Sequence, residues 1–175
     1  MNPVADLVSD LVSATLDDAE LAYQRTDRGS FLVTLPGEKK LQTNCWLVVG
    51  AHGVLVEAFV CRRPDEAHEQ VYRWLLRRNA RLYGVHYTLD KIGDIYLVGR
   101  LAHASVTADE LDRVLGQIAE AAEGDFDILL EIGFASSIRR EWNWRVSRGE
   151  SLANLAAFEH LIRPEQRPYG PVTES

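Results

Sequence analysis

The segment from Pro64 to Leu101 constrains the fold more than any other part of the chain. It reads PDEAHEQVYRWLLRRNARLYGVHYTLDKIGDIYLVGRL. Ala67, Val71, Trp74 and Leu75 recur at helical spacing, with Leu82 near the exit, and Pro64 suits a first helical turn. Asp65, Glu66 and Glu69 precede Arg77, Arg78 and Arg81, an order that complements the helix dipole at both ends. At Tyr83-Gly84 the period changes from helix to strand. Tyr83, Val85, Tyr87 and Leu89 form one arm of a hairpin, Asp90 to Asp94 turns, and Ile95, Leu97, Gly99 and Leu101 return. A helix feeding directly into a hairpin predicts an α+β layer structure.

The rest of the chain extends this pattern. Val4, Leu7, Val8, Leu11, Val12 and Leu16 predict a first helix, with Asn2 as its cap and Pro3 at its first position. Short strands are expected at 20–24 and 31–35. Residues 41–49 and 54–61 alternate as two arms around Gly50-Ala51-His52-Gly53. Thr43, Cys45, Leu47, Val54, Val56, Ala58 and Val60 fall on one face. Trp46, Leu55, Glu57 and Phe59 fall on the other. Thr107 and Glu110 form a capping box for a helix carrying Leu111, Val114, Leu115 and Ile118. Further helices are expected over 126–132, 136–146 and from Ser151 to about His160.

These elements predict an antiparallel twisted sheet of five to six strands flanked by helices, with a C-terminal helical extension. We expect one domain over residues 1–160, with a core at about 18–122 and an extension at 123–160. Pro164, Pro168, Gly170 and Pro171 predict a flexible tail over 161–175.

Composition excludes several function classes. The net charge of −7 over 175 residues argues against a general nucleic-acid or anionic-membrane binder. Acids crowd between Leu101 and Glu131, against Arg113 alone. Basic residues crowd at Arg62–Arg81 and Arg139–Arg148. Such separated surfaces suit docking to a partner of opposite sign, and equally suit local salt bridges. No apolar run approaches the roughly 20 residues that span a bilayer, and no secretory signal is visible, so a cytoplasmic location is expected. Cys45 and Cys61 are expected to be buried free thiols, since hairpin register sets Cys45 opposite Ala58 and keeps the two apart.

No catalytic constellation is visible. His52, His68, His86, His103 and His160 lack the spacing of a zinc site, and no nucleophile elbow or phosphate loop occurs. The chain is expected to be no enzyme and to need no cofactor or metal. The best candidate for function is Arg139, Arg140, Trp142, Trp144, Arg145 and Arg148. Trp and Arg dominate protein–protein hot spots. On a helix, Ile138 and Trp142 share one face and Arg140 and Trp144 another. The segment is therefore either a docking helix, or a core Trp142 with Trp144 packed on an arginine of the same chain. Trp46, Phe59, Trp74 and Tyr87 are the alternative set, as a sheet face or as the lining of a small-molecule pocket between sheet and helices. Either a partner or the C-terminal helices would cover Trp46 and Phe59.

Trp74-Leu75-Leu76-Arg77-Arg78-Asn79-Ala80, with the hairpin from Asp90 to Leu101, resembles the YbjN-domain family over roughly Asp18 to Ala122. Gly133 to Gly149 is similar to an extension of actinobacterial relatives. Members are described as bacterial sensory-transduction regulators. The resemblance implies a fold like that of type III secretion chaperones, brings no catalytic residue or cofactor, and by analogy suggests a homodimer. The function expected is a non-catalytic cytosolic protein-binding module, chaperone-like or regulatory, with no nucleic-acid or membrane partner. A small-molecule sensor is the alternative.

Overall fold

The structure, a computed structural model, describes residues 3–26 and 29–162. The expected cap Asn2 and most of the expected tail, residues 163–175, lie outside the described residues. The chain divides into two compact units: Met1–Arg63 with Trp74–Phe126, and Pro64–Arg73 with the residues from Asp127 onward.

The first unit is built on an open six-stranded antiparallel sheet. Helix α1 (Pro3–Asp18) leads to β1 (Ala22–Arg25), β2 (Ser30–Pro36), β3 (Gln42–Val49) and β4 (Gly53–Cys61). Helix α2 (His68–Asn79) follows, then β5 (His86–Leu89), β6 (Ile95–Ala102) and α3 (Ala108–Gly124). The strand order is β1-β2-β3-β4-β6-β5, so β6 inserts beside β4 and leaves β5 on the edge.

Alternation decides which face each side chain takes. Phe31, Val33, Leu35, Cys45, Leu47, Val54, Val56, Ala58, Ile95 and Leu97 are buried on one face. Two hydrogen-bond contacts place the helices on that same face. Ser13 of α1 lies 2.8 Å from the hydroxyl of Tyr23, the partner of inward Val33. Tyr87, the partner of inward Leu97, has its hydroxyl 3.4 Å from the Ala121 carbonyl of α3.

Several expected boundaries move. The register between β4 and β6 shifts between Phe59 and Cys61. This bulge turns Cys61 inward beside Val60, where strict alternation would have set it outward with Phe59. Cys45 pairs with Ala58, and both cysteines are free and buried. Burial pushes the thiols up to about 12 and about 11 respectively. Tyr83 is excluded from β5, because its N–H donates to Gln117 Oε1 at 3.0 Å and Gly84 turns the chain at φ +71°. A Cβ on Gly99 would collide with the Gly84 carbonyl, so close approach, not turn geometry, requires that glycine. Thr107 accepts from the Glu110 N–H at 3.1 Å, but the Glu110 carboxylate accepts from the Tyr83 hydroxyl at 2.9 Å instead of closing the capping box.

The second unit contains α4 (Phe126–Gly133), which begins at the last residue of the first unit, α5 (Ala135–Arg148) and a 3-10 turn at Ala153–Leu161. It also holds Pro64–Arg73. The α2 helix starts at His68, not Pro64: Ala67 takes φ +50° and Pro64 is buried in the loop before it. Asp65 and Glu66, read from sequence as first-turn acids of α2, serve α5. Glu66 accepts from the Ser136 N–H at 2.6 Å and Asp65 from the Ser137 hydroxyl at 2.6 Å. Acids at a helix start satisfy its open N–H groups and its dipole. The Asp65 and Glu66 N–H groups in turn donate to the Gly133 carbonyl.

Candidate protein-docking site

The sheet's second face carries aromatic and aliphatic side chains among a few polar ones. Register aligns Leu32, Trp46, Glu57, Val98 and His86 in one row across β2, β3, β4, β6 and β5. Val48, Leu55 and Arg100 form the next row, and Phe59 pairs with Tyr96 on the other side. The Phe59 and Tyr96 rings meet edge-on at 5.4 Å. Trp46 is 39% exposed and Phe59 40%. Exposed apolar side chains in contiguous rows mark interaction surfaces more strongly than scattered ones.

Lys40 borders this face. Its Nζ donates to the Phe59 carbonyl at 2.6 Å and sits 5.5 Å from the Phe59 ring centre. Burial lowers the Lys40 pKa, with Cys61 opposing. The loop before β3 is held from α3: the Glu123 carboxylate accepts from the N–H groups of Glu38 (2.9 Å), Lys39 and Lys40 (3.3 Å). Those backbone bonds, Lys39 first, hold the Glu123 carboxyl below its ordinary range.

Trp46, Phe59, Trp74 and Tyr87 do not come together. Trp46 and Phe59 are on the outer sheet face. Tyr87 is on the inner face, and its ring lies 6.3 Å from that of Trp74. A strand's two faces are separated by the backbone, so one cavity cannot be lined by all four.

In the second unit, Trp142 is fully buried and Ile138 is buried on the same side of α5. Arg139 donates to the Leu161 carbonyl at 2.9 Å, Arg140 to Ser137 at 2.8 Å, and Arg145 to Glu141 at 2.7 Å. Trp144 is 46% exposed, with the Arg148 guanidinium stacked 5.1 Å from its ring centre. The six residues therefore divide into a core tryptophan, three arginines bound within their own unit, and an exposed Trp144–Arg148 pair.

Sequence reading missed a buried polar cluster in the first unit. Asp125 accepts from Arg78 Nε at 2.8 Å and from the Tyr87 hydroxyl at 2.8 Å. Arg78 also donates to both Glu120 oxygens at 2.8 Å. Burial alone would lower the Arg78 pKa, but the Asp125 hydrogen bond and charge, joined by Glu120, raise it. Opposite charge on the basic α2 end and the acidic α3 was the available signal; the partners were not readable from spacing.

Among the described residues no group of three or more His, Cys, Asp or Glu is placed to hold a metal ion, and no helix is long and apolar enough to cross a membrane.

A family model described as "YbjN: Putative bacterial sensory transduction regulator" matches residues 9–131. The chain belongs to the YbjN family. The match begins within α1 and ends within α4, wider than the resemblance read from sequence. An uncharacterized protein of Mycobacterium leprae is 66% identical over 134 residues, 77% of this chain and 73% of that protein. An uncharacterized protein of Mycobacterium bovis is 58% identical over 159 residues, 88% of this chain and 87% of that protein. Among solved structures, the ExsC–ExsE complex aligns with TM-score 0.55 at 18% identity, covering 74% of this chain and 97% of that one. The HopA1–SchA chaperone–effector complex aligns at 0.51 and 15%, covering 67% and 91%. YbjN from E. coli aligns at 0.50 and 17%, covering 66% and 89%. This chain thus has a fold like that of solved type III secretion chaperone complexes, as the sequence reading expected.

Proposed function

We propose that this YbjN-family chain is a non-catalytic cytosolic protein-binding module, chaperone-like or regulatory, that docks a partner protein or a second copy of itself. One observation carries the reading: the outer sheet face keeps Trp46 and Phe59 partly exposed among Leu32, Val48, Leu55 and Val98, while α1 and α3 bond to the opposite face. Removing such side chains from water favours association by roughly 25 cal/mol per Å2 of apolar area, offset by the costs of ordering both partners. The exposed Trp144–Arg148 pair adds a second anchor of the kind that dominates protein interfaces. The fold likeness to a chaperone–effector complex agrees with a protein-binding role.

The test is an affinity pull-down that compares the native chain with Trp46→Ser plus Phe59→Ser and with Trp144→Ala plus Arg148→Ala, each shown folded by circular dichroism. Light scattering on the same samples reads self-association. Loss of co-purifying proteins, or of the dimer mass, in the first variant is the expected result. Equal yields and equal mass in all three samples would remove the sheet face from the proposal.

A further inference from the structure

A separate surface of the first unit has unused charge. Trp74, Arg77, Arg78 and Arg81 line an open cavity of about 240 Å3 along the C-terminal half of α2. Trp74, Arg77 and Arg78 share one helical face at i, i+3 and i+4, and Arg81 follows in the turn after α2, where its N–H donates to the Arg78 carbonyl at 2.9 Å. Trp74 is half-buried and braced from behind by the Tyr87 ring. Arg78 is occupied by Asp125 and Glu120. Arg77 and Arg81 are exposed, and their guanidinium groups have no hydrogen-bond or ion-pair partner among the described residues.

We propose that this cavity is a binding site for an acidic peptide segment, whose carboxylates pair with Arg77 and Arg81 while an apolar or aromatic side chain packs on Trp74. The charge decides the sign of the ligand. In a chain of net charge −7, unpaired guanidinium groups beside an aromatic wall form a local positive field that steers carboxylates toward it. The geometry decides between ligand types. A compact phosphate is held by donors that converge on one point, often backbone N–H groups. Here the free donors are two separate side chains, one near the end of α2 and one in the turn after it, which matches carboxylates spaced along a peptide, each taken by a planar guanidinium fork. The fixed Arg78 keeps the cavity wall in place without competing for the ligand. The site stands independently of the outer sheet face.

The experiment is fluorescence anisotropy of a fluorescein-labelled oligoglutamate peptide with one central tyrosine, titrated at low salt with the full chain. Three variants accompany it: Arg77→Gln plus Arg81→Gln, Arg139→Gln plus Arg148→Gln, and Trp46→Ser plus Phe59→Ser. The expected result is saturable binding that weakens at least about tenfold in the first variant and stays within about twofold in the other two. Trp74→Phe, which keeps an aromatic wall, is expected to retain binding that Trp74→Ala loses. No binding by the native chain overturns the proposal, as does equal weakening in the two arginine variants, which would mean general electrostatic attraction. Displacement of the peptide by inorganic phosphate or adenosine monophosphate at far lower concentration than by unlabelled peptide also overturns it, assigning the cavity to a phosphate ligand. The sheet-face variant separates this outcome from that of the docking proposal.

Discussion

Arg78 and Asp125, 47 positions apart in sequence, are joined by a 2.8 Å hydrogen-bonded ion pair that ties the end of α2 to the end of α3. The Asp125 carboxylate also takes the Tyr87 hydroxyl, so helix, helix and edge strand meet at one buried oxygen. The cluster anchors the helix that carries Arg77.

Asp125→Ala removes the acceptor of Arg78 Nε and of the buried Tyr87 hydroxyl, while Glu120 still pairs the Arg78 guanidinium. A buried donor left without its acceptor costs about 1–3 kcal/mol. Urea unfolding monitored by circular dichroism is expected to show that loss. Asp125→Asn, which keeps an acceptor oxygen, is expected to lose less.

Tyr87 sets an alkaline limit on stability. Burial first, then the Asp125 charge, raises its pKa above the ordinary value of 10.0. A raised folded-state pKa means that the folded chain holds this proton more tightly than the unfolded chain. Its stabilising contribution is complete below 10.0 and declines as pH rises above it. Thermal unfolding followed from neutral to strongly alkaline pH is expected to show this decline in the native chain. In Tyr87→Phe the decline is expected to be shallower, from a lower starting stability.

The two tryptophans of α5 are expected to behave oppositely. Trp142→Ala empties a fully buried site and is expected to cost about 3–5 kcal/mol. Trp144→Ala removes an exposed ring and one cation–π contact, worth about 1 kcal/mol or less. Chemical denaturation of both variants checks this. If Trp144 proves the costlier loss, its placement on the exposed face is wrong.

The fold was legible in sequence wherever one physical rule acted locally. Alternation at Thr43, Cys45 and Leu47 set one face of β3 inward, and the helical stripe of Leu111, Val114 and Ile118 marked α3. Ile138 and Trp142 against Arg140 and Trp144 already separated two faces of α5. The family resemblance pointed to the same chaperone-like fold. Legibility failed where a local preference had a distant competitor. Asp65 and Glu66 carry the signature of a helix start, yet they serve a helix some 70 residues away. Glu110 completes a capping motif on paper and goes to Tyr83 instead. The inward turn of Cys61 needed a bulge that no residue type announces.

The sequence by itself determined the order of helices and strands and most of their apolar faces, because periodicity acts between neighbours in the chain. Only the tertiary structure decided that the outer row of Trp46 and Phe59 stays open, that Arg78 is bound while Arg77 and Arg81 are not, and that Trp142 is core while Trp144 is surface. Those outcomes depend on which distant surfaces compete for the same side chain. That competition is settled by packing and by the cost of leaving a buried charge unpaired, neither of which is written in local spacing.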